Sequence, residues 1–484
     1  MNAFDHAIAP ILPVLLTIAA LGCLAGVVRA AVIVPLHVSL DPDEGWNAYH
    51  AVAAMAGHGL YPASGSFMAD NYPPLSFYLV GLLGGLTGDQ IVAGRIVSLA
   101  AFVCICGFVL LAVRRLCGGL QDAVFSAVLF ALILLLTSDY VGMDDPQLLG
   151  HALQLAALLF VLRQPRSATT MFAAALLFVL ASFVKHNLFA LPLAALVWLA
   201  LFDRRSALRL AVPVLALTVC GLAVFRLYFG FDLISRLASA RLWSFAQFQN
   251  SLATWLPFVV VPLIGLTGLI LWHAKDRSVW FVAIYADLAI LTGAVIAGGA
   301  GVDVNAMFDA DIALALSAGL ALGRLLEERK PFLHIIGRVF ALAALIPFVL
   351  PALENSDWRD WSFWQRPMRD ETSLAAQDIA FLRAHKGPAI CESLAFCYWA
   401  GKTDPVDVFN LDQQFRTGTR DPGPFLRLIE AHHYAAIELD ETDPFPLPRI
   451  VQSALLYNYR IDHSDDEGIF LVARFSVPAN SARS

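Results

Sequence analysis

Long apolar segments alternate with short polar ones from the N-terminus to Leu350. A helix needs roughly 20 predominantly apolar residues to cross a bilayer. The pattern predicts about eleven membrane-spanning helices, at residues 9–37, 90–113, 122–139, 146–162, 170–184, 188–202, 207–228, 252–272, 279–298, 308–323 and 334–352. Downstream, the chain is rich in Asp, Glu, Arg and Pro and has no further segment of this kind. We therefore predict an all-α polytopic membrane domain in residues 1–352 and a small soluble α/β domain in residues 353–484.

The composition also indicates a membrane protein and excludes an ordinary soluble enzyme. Of the 484 residues, 58% are hydrophobic and 15% are charged, whereas soluble domains have roughly 25% charged residues. The mean hydropathy is +0.68. The net charge of −7 is divided between two sides of a membrane and identifies no partner, and no nucleic-acid partner is expected.

Positively charged residues occur in every second polar segment. They are Arg114, Arg115, Arg163, Arg166, Arg204, Arg205, Arg209, Lys275, Arg277, Arg324, Arg329 and Lys330. Cytoplasmic loops carry an excess of Lys and Arg, so we expect the N-terminus on the cytoplasmic side. The acidic loops and the C-terminal domain are then expected outside, in the periplasmic or extracellular space.

The first external loop is long and covers residues 39–89. Residues 46–60 predict an amphipathic helix that ends at Gly57, His58 and Gly59. The later sequence PPLSFYLVGLLGGLTG is apolar but short and interrupted by glycine, which favours a helix lying along the membrane surface. If this helix crossed the membrane instead, every later loop would change sides and the basic segments would lie outside.

Two groups of carboxylates lie at the external ends of predicted spans. Asp41, Asp43 and Glu44 follow the first span in the sequence DPDEGW, and Asp144 and Asp145 precede the fourth span in GMDDPQ. One interpretation of the first group is a polar cap, with aspartate before the next helix and glutamate in its first turn. The other interpretation is a catalytic site, because both groups share one side of the membrane with a few cations.

Four residues on this side are candidates for binding an anion. Lys185 and His186 form the tip of a tight turn between the fifth and sixth spans, and Arg236 and Arg241 lie in the loop after the seventh. Cations hold phosphate through charge-assisted hydrogen bonds, and a carboxylate accepts a proton from an attacking hydroxyl. Together at the lipid–water boundary, these groups favour a reaction on a lipid phosphate.

Four sequence motifs, taken in order, resemble a known class of membrane enzymes. They are DEGWNAYHA, NYPPLSFYL, DDPQLLGHAL and FVKHNLFALPL. The set resembles the GT-C class of polyprenyl-phosphate-dependent glycosyltransferases, and in particular bacterial proteins similar to protein O-mannosyltransferases and to the aminoarabinose transferase of lipid A. The resemblance in sequence covers the first two fifths of the chain, and the later spans match in layout.

The resemblance implies a role for each candidate residue. The implied catalytic group consists of the general base Asp43 and the neighbouring carboxylates Glu44, Asp144 and Asp145. The implied donor phosphate-binding group consists of Lys185, His186, Arg236 and Arg241. Asp41 and Tyr72 are expected to shape the substrate site. Asn305 lies in a glycine-rich external turn before the tenth span, and it is either a further substrate contact or part of an ordinary connector. The aminoarabinose transferase has a lysine directly before its Pro-Pro pair, where this chain has Tyr72, so the sugar need not be the same.

The resemblance implies a multi-pass glycosyltransferase of the bacterial cytoplasmic (inner) membrane. Such an enzyme moves a hexosyl or pentosyl group from a polyprenyl-phosphate donor to a hydroxyl of a glycan, lipid or protein on the outer face. A single displacement at the anomeric carbon inverts its configuration. No cofactor is implied, and a divalent metal is left open because no ligand spacing indicates one.

The alternative function is a transporter or flippase of a lipid-linked saccharide. Such proteins often have internal repeats and charged residues at mid-membrane depth. In this sequence the charges concentrate at one interface and no internal repeat is recognised, so sugar transfer is favoured. A non-catalytic membrane scaffold is the third interpretation.

The C-terminal domain is predicted to alternate helix and strand from Leu374 and to end in a hairpin. No phosphate loop, nucleophile elbow or metal-ligand set is recognised in it, and we expect it to cover the external mouth or to act as a structural cap. Cys391 and Cys397 would reach disulfide distance if the first ends a strand and the second lies early in the next helix. The alternative is two buried thiols, and the sequence leaves both open.

Overall fold

The first part of the chain is a bundle of helices. In the computed structural model, the described residues are 10–57, 59–63, 65–231, 233–237, 241–354, 366–440, 447–466 and 468–474. The helices of the first part are α1 (Ile11–Ile33), α2 (Asp43–Met55), α3 (Leu75–Thr87), α4 (Gln90–Leu116), α5 (Leu120–Thr137), α6 (Gln147–Leu162), α7 (Ala168–Val184), α8 (Ala190–Phe202), α9 (Arg204–Phe229), α10 (Leu233–Leu237), α11 (Phe245–His273), α12 (Arg277–Ala297), α13 (Phe308–Glu327) and α14 (Pro331–Glu354). Within the described residues, eight of these are long and apolar enough to cross a membrane, namely α1, α4, α5, α9, α11, α12, α13 and α14.

Every predicted span coincides with a helix, but three of these helices are short. Helices α6, α7 and α8 have 16, 17 and 13 residues, against the roughly 20 that a span requires. Helix α3 has 13 residues, in agreement with the short helix predicted there. The all-α class of the membrane domain is therefore confirmed, whereas the number of eleven spans remains a prediction.

Helix α13 forms the centre of the bundle. It packs against α4, α5, α11, α12 and α14, and all its residues from Phe308 to Gly323 are buried. Small residues in the sequence ALALSAGLALG allow neighbouring helices to approach closely. A Cβ atom on Gly319 would lie only 2.9 Å from the Cβ atom of Ser126 in α5.

The predicted long loop between α1 and α4 folds into two packed helices. Helix α2 begins after Pro42, carries Asp43 and Glu44 in its first turn, and ends at Met55. Gly57 follows with a φ of +70°, a conformation that glycine adopts without steric cost. The helix predicted here is confirmed, and its end agrees with the predicted glycine stop, although His58 lies outside the described residues.

The C-terminal part is an α/β unit built on a four-stranded mixed sheet. Its elements are α15 (Thr372–Ala384), β1 (Ala389–Cys391), α16 (Leu394–Trp399), α17 (Val408–Arg416), α18 (Gly423–Glu430), β2 (Ala436–Leu439), α19 (Arg449–Asn458), β3 (Tyr459–Asp465) and β4 (Gly468–Ala473). The strand order is β1-β2-β4-β3, with β1 and β2 parallel and the other neighbours antiparallel. The predicted α/β class and terminal hairpin are confirmed. Helices α17 and α19 were not predicted, and the boundary after residue 352 remains a prediction.

A disulfide joins Cys391 to Cys397, with their Cα atoms 5.9 Å apart. Cys391 is the last residue of β1, and Cys397 lies in the short helix α16. This is the arrangement that the disulfide interpretation required, so that interpretation is confirmed over the two-thiol alternative. The bond fixes α16 to the sheet, and α16 in turn packs against α2.

The contact between α2 and α16 depends on Gly45. A Cβ atom at this position would lie 2.1 Å from the backbone nitrogen of Ala395 and 2.1 Å from the carbonyl carbon of Leu394. Real Cβ atoms do not come this close to backbone atoms, so only glycine fits. The C-terminal part therefore docks onto α2 directly beside its acidic first turn.

We predict that Gly45→Ala destabilises the protein, because the added methyl group forces α16 away from α2. Overpacking of this kind typically costs about 1–3 kcal/mol, which exceeds the gain of about 1 kcal/mol that alanine gives over glycine in a helix interior. The measurement is the thermal unfolding temperature of the full chain in detergent. Gly85→Ala in α3 is the matched control, because its Cβ would meet no atom within 4 Å. Equal unfolding temperatures for the two variants would contradict the close contact.

Candidate active site

The first turn of α2 is held by an ion pair between Glu44 and Arg95, both fully buried. Arg95 Nε donates to Glu44 Oε1 at 2.7 Å and Arg95 Nη2 donates to Glu44 Oε2. The same guanidinium donates to the carbonyl oxygens of Leu36 and Val38, in the segment that leads out of α1. Arg95 therefore joins α4, α2 and the end of α1. The sequence analysis missed this residue, although a lone arginine near the start of an apolar segment is a recognisable signal.

Glu44 also connects the two acidic segments of the chain. Its Oε2 atom accepts a hydrogen bond from the backbone nitrogen of Leu40, and its Oε1 atom accepts one from the backbone nitrogen of Asp144, each at 3.0 Å. With the two bonds from Arg95, both carboxylate oxygens are well supplied with donors. This geometry favours an anchoring role for Glu44 over the catalytic role implied by the sequence resemblance.

Asp144 is buried behind this anchor. Its carbonyl oxygen accepts a hydrogen bond from Asn47 Nδ2 at 2.7 Å, and its carboxyl packs against Gly94, where a Cβ atom would lie 1.7 Å from Asp144 Oδ1. Burial, reinforced by the charge of Glu44, raises the pKa of the Asp144 carboxyl well above its usual range. Asp144 therefore belongs to the packed support of the site, and a carboxyl in this position is neutral more readily than an exposed one.

Asp145, Lys185 and Tyr72 form a compact polar cluster next to this support. Lys185 Nζ lies 3.0 Å from Asp145 Oδ2 and donates to Tyr72 OH at 3.0 Å. The same ammonium group lies 4.4 Å from the centre of the Tyr72 ring. Burial alone would lower the pKa of Lys185, but the Asp145 carboxylate and the Tyr72 hydroxyl outweigh it, and the pKa is raised. Lys185 is therefore a charged lysine inside the protein.

Asp43 lies at the solvent-exposed start of α2, with Asp41 next to it. The backbone nitrogen of Asp43 donates to Asp41 Oδ1 at 2.8 Å. The surrounding protein and the charge of Asp145 raise the pKa of Asp43, while Lys185 and Arg241 act in the opposite direction. Burial and the Asp43 charge raise the pKa of Asp41 to about 7. Both carboxyls are thereby moved towards the range in which a carboxylate serves as a general base near neutral pH.

The other three predicted cations, Arg241, His186 and Arg236, lie in different surroundings. Arg241 is half-buried, with its guanidinium 5.6 Å from the centre of the Phe409 ring. Its positive charge lowers the pKa of Asp43. The side chain of His186 is exposed, and the surrounding protein together with Lys185 and Arg241 lowers its pKa to about 4. Arg236 lies in α10, but its side chain is outside the described part of the chain.

Asn305 lies in a short 3₁₀ turn, Val304–Met307, that leads into α13. Its carbonyl oxygen accepts a hydrogen bond from Gln147 Nε2 at 3.4 Å. The neighbouring Asp303 is exposed and its charge raises the pKa of Asp43. The loop before α13 therefore places a further carboxylate near Asp43.

The C-terminal part supplies a wall of the site. Asp407 Oδ2 accepts a hydrogen bond from Trp46 Nε1 of α2 at 3.0 Å, and the backbone nitrogen of Asp407 donates to the carbonyl oxygen of Phe67. Burial raises the pKa of Asp407 to about 6, and the charge of Asp43 contributes. Sequence reasoning missed Asp407 because it lies more than three hundred residues after its partner Trp46.

A chain of polar side chains leads from this cluster into the helix bundle. The backbone nitrogen of Gln147 donates to Asp145 Oδ1 at 2.6 Å, and Gln147 Nε2 lies 3.0 Å from His151 Nε2. Further on, His151 Nδ1 lies 3.8 Å from Asp309 Oδ1, which also accepts a hydrogen bond from Tyr285. Ionisable residues among membrane helices are costly and usually functional. The sequence analysis named no role for these side chains, because nothing in the sequence shows that α6, α12 and α13 bring them together.

The comparisons with known proteins agree with this architecture. The family model of dolichyl-phosphate-mannose-protein mannosyltransferases matches residues 71–229. The fold is similar to that of ArnT from Cupriavidus metallidurans in the apo state, at a TM-score of 0.56 and 14% identity, covering 94% of this chain and 98% of that chain. For the same protein bound to undecaprenyl phosphate the TM-score is 0.54 and the identity 16%, covering 93% and 97%. No curated protein matches the chain significantly.

A more distant similarity is to the archaeal oligosaccharyltransferase AglB from Archaeoglobus fulgidus, in complex with an inhibitory peptide and a dolichol-phosphate. The TM-score is 0.51 at 13% identity, covering 86% of this chain and 69% of that chain. At such identities the structures establish a common fold. With the family match, they confirm the predicted resemblance to the GT-C class and the predicted multi-pass membrane architecture.

We predict that Glu44→Gln strongly destabilises the protein, because it leaves the charge of Arg95 buried without a counter-charge. Removing one partner of a buried ion pair typically costs about 3–5 kcal/mol. The measurement is the yield of monodisperse protein after extraction, together with its thermal unfolding temperature. Asp41→Asn is the control, because that side chain is partly exposed. A Glu44→Gln variant as stable as Asp41→Asn would contradict the anchoring role.

Proposed function

We propose that this protein is a membrane glycosyltransferase that moves a sugar from a polyprenyl-phosphate donor to an acceptor hydroxyl on the outer face of the bacterial cytoplasmic membrane. The observation that carries the proposal is the exposed carboxyl of Asp43, which has a raised pKa and lies in the electrostatic field of Lys185 and Arg241. A proton acceptor and two phosphate-binding cations are the groups that this reaction needs. The similar fold of ArnT has been solved with undecaprenyl phosphate.

The donor phosphate is proposed to bind between Lys185 and Arg241. Lys185 remains charged although it is buried, because it is paired with Asp145. Arg241 lies on a different segment, against Phe409 of the C-terminal part. An arginine offers several donors to one phosphate, whereas a lysine contributes a compact charge. A phosphate held by both would also neutralise cations that now lower the pKa of Asp43, and would make Asp43 a stronger base.

Asp43 is proposed to be the general base. The acceptor oxygen attacks the anomeric carbon while the bond from that carbon to the phosphate oxygen breaks. The proton of the acceptor hydroxyl passes to Asp43, and the polyprenyl phosphate leaves with the bonding electrons. This single displacement inverts the configuration of the anomeric carbon. Help from a general base is typically worth about 10²–10⁴-fold in rate.

The remaining polar residues around Asp43 are proposed to shape the space for sugar and acceptor. Tyr72 presents a ring and a hydroxyl beside Lys185, and Asp41 and Asp303 bring further carboxylates towards Asp43. Asp407 contacts α2 from the C-terminal part, so that part is proposed to help select the acceptor. The transferred group is a hexosyl or pentosyl unit, and the acceptor is a glycan, a lipid or a protein.

The orientation in the membrane is part of the proposal. Basic residues predict that the N-terminus is cytoplasmic. The disulfide between Cys391 and Cys397 is the kind of bond that persists in an oxidising envelope compartment, which supports an outer location for the C-terminal part. Nothing in the described residues favours the transporter or flippase alternative.

We predict that Asp43→Asn lowers the rate of sugar transfer by about 10²–10⁴-fold while the protein folds normally, because an exposed carboxylate is replaced by an amide of the same shape. The measurement uses purified full chain, radiolabelled polyprenyl-phosphate sugars and an acceptor extract from bacterial envelopes, and follows the loss of label from the lipid. Asp404→Asn is the matched control, because it makes the same change at an exposed position of the C-terminal part. Near-normal turnover by Asp43→Asn would exclude Asp43 as the base.

We predict that Lys185→Gln raises the KM for the donor because it removes a phosphate-binding cation. That variant also leaves Asp145 without its counter-charge, so the double variant Lys185→Gln/Asp145→Asn is compared with it. If Lys185 serves only to neutralise Asp145, the double variant recovers the normal KM for the donor. We expect the KM to stay raised in the double variant and to be largely restored by Lys185→Arg.

A further inference from the structure

Three potential metal ligands meet in the C-terminal part. Asp378 lies on α15, and His463 and Asp465 lie on β3. One ligand atom from each of these residues lies within 4.8 Å of the others. His463 Nε2 is 3.7 Å from Asp378 Oδ1 and 3.9 Å from Asp465 Oδ2. The cluster thus combines one imidazole nitrogen with two carboxylates from two different elements.

The histidine is held with one ring nitrogen directed at the carboxylates. His463 Nδ1 lies 3.3 Å from Asp462 Oδ2, which favours a proton on Nδ1 and a free lone pair on Nε2. The ring stacks on Phe470, with centroids 4.5 Å apart and planes at 5°, and Phe381 covers it edge-on. A carboxylate behind a histidine is the usual arrangement around metal-binding imidazoles.

The backbone of β3 is also adapted to this arrangement. The pairing with β4 shifts between Ile461 and His463, and such a bulge re-aims the side chains that follow it. His463 and Asp465 are two residues apart, so after the bulge they point to the same side of the strand. Both therefore face α15, where Asp378 lies.

Asp378 contributes a buried carboxylate oxygen that has no hydrogen-bond partner within the described part of the chain. It is only 2% exposed, and its Oδ2 atom accepts no hydrogen bond from any described residue. A buried carboxylate oxygen without a hydrogen-bond partner destabilises the fold. Two carboxylates at this distance repel each other when both are charged, and a bound cation removes both penalties.

We propose that Asp378, His463 and Asp465 bind a divalent transition-metal ion of the zinc or manganese type. Mixed imidazole and carboxylate ligands suit these ions, whereas calcium and magnesium prefer oxygen ligands alone. Three protein ligands leave further coordination positions to water. The ion would join α15 to the β3–β4 hairpin, and this role is independent of the transfer reaction.

The test measures metal uptake by the full chain. The protein in detergent is treated with EDTA, dialysed against micromolar zinc or manganese chloride, and its metal content and thermal unfolding temperature are measured. We expect one ion per chain and a higher unfolding temperature with metal. His463→Gln and Asp378→Asn should each weaken uptake at least about tenfold. His433→Gln, an exposed histidine in the same part of the chain, should bind as the wild type does.

Folding of the variants is checked separately in EDTA. We expect Asp378→Asn to unfold at the wild-type temperature or above it in EDTA, because it removes the repulsion from Asp465. Loss of uptake in a variant that is stable in EDTA supports the site. Failure of the wild type to take up either metal would overturn the proposal, as would equal uptake by the wild type and both ligand variants.

Discussion

The buried ion pair between Arg95 and Glu44 is the interaction on which the candidate active site depends. It fixes the first turn of α2 against α4 and the end of α1, and through Glu44 it also holds the backbone of Asp144. A buried pair is stable only when its remaining donors and acceptors are satisfied, and here backbone groups satisfy them. Asp43 directly precedes Glu44 in the sequence. The ion pair therefore also fixes the position of the exposed Asp43.

The pKa of Asp43 depends on the charged groups around it, so an anion that binds among them would change this pKa. Burial and the carboxylates of Asp145 and Asp303 raise the pKa of Asp43, and the positive charges of Lys185 and Arg241 lower it. A lipid phosphate bound at the two cations would add negative charge beside Asp43. The carboxylate would then become more basic when the donor is in place. The C-terminal part also contributes to the surroundings of Asp43. Asp407 accepts a hydrogen bond from Trp46 of α2, and the ring of Phe409 lies against Arg241.

The sequence predicts the features that arise from local patterns and misses those that arise from distant contacts. Apolar length predicts the helices, and alternation of helix and strand predicts the C-terminal sheet. Asp43, Asp145 and Lys185 were found because each lies in a polar segment at the end of an apolar one. Arg95 and His151 were missed because each lies within an apolar helix and its polar partners lie on other helices.

Contacts between the two parts of the chain had no local signal at all. Asp407 is recognisable only when its hydrogen bond to Trp46 is seen. The proximity of Asp378 and His463 was missed for a similar reason, because the two residues lie on a helix and a strand that are far apart in the sequence. The need for glycine at position 45 was likewise not predictable, because it arises from the backbone of Ala395, which packs against Gly45.

The most direct test of the account is a cryo-EM map of the full chain in lipid nanodiscs with a bound polyprenyl phosphate. The account predicts phosphate density in contact with Lys185 and Arg241, between the first turn of α2 and helix α17, with the isoprenoid chain running along the membrane helices. Phosphate density at the opposite end of the bundle, beside Arg114 or Arg204, would contradict it.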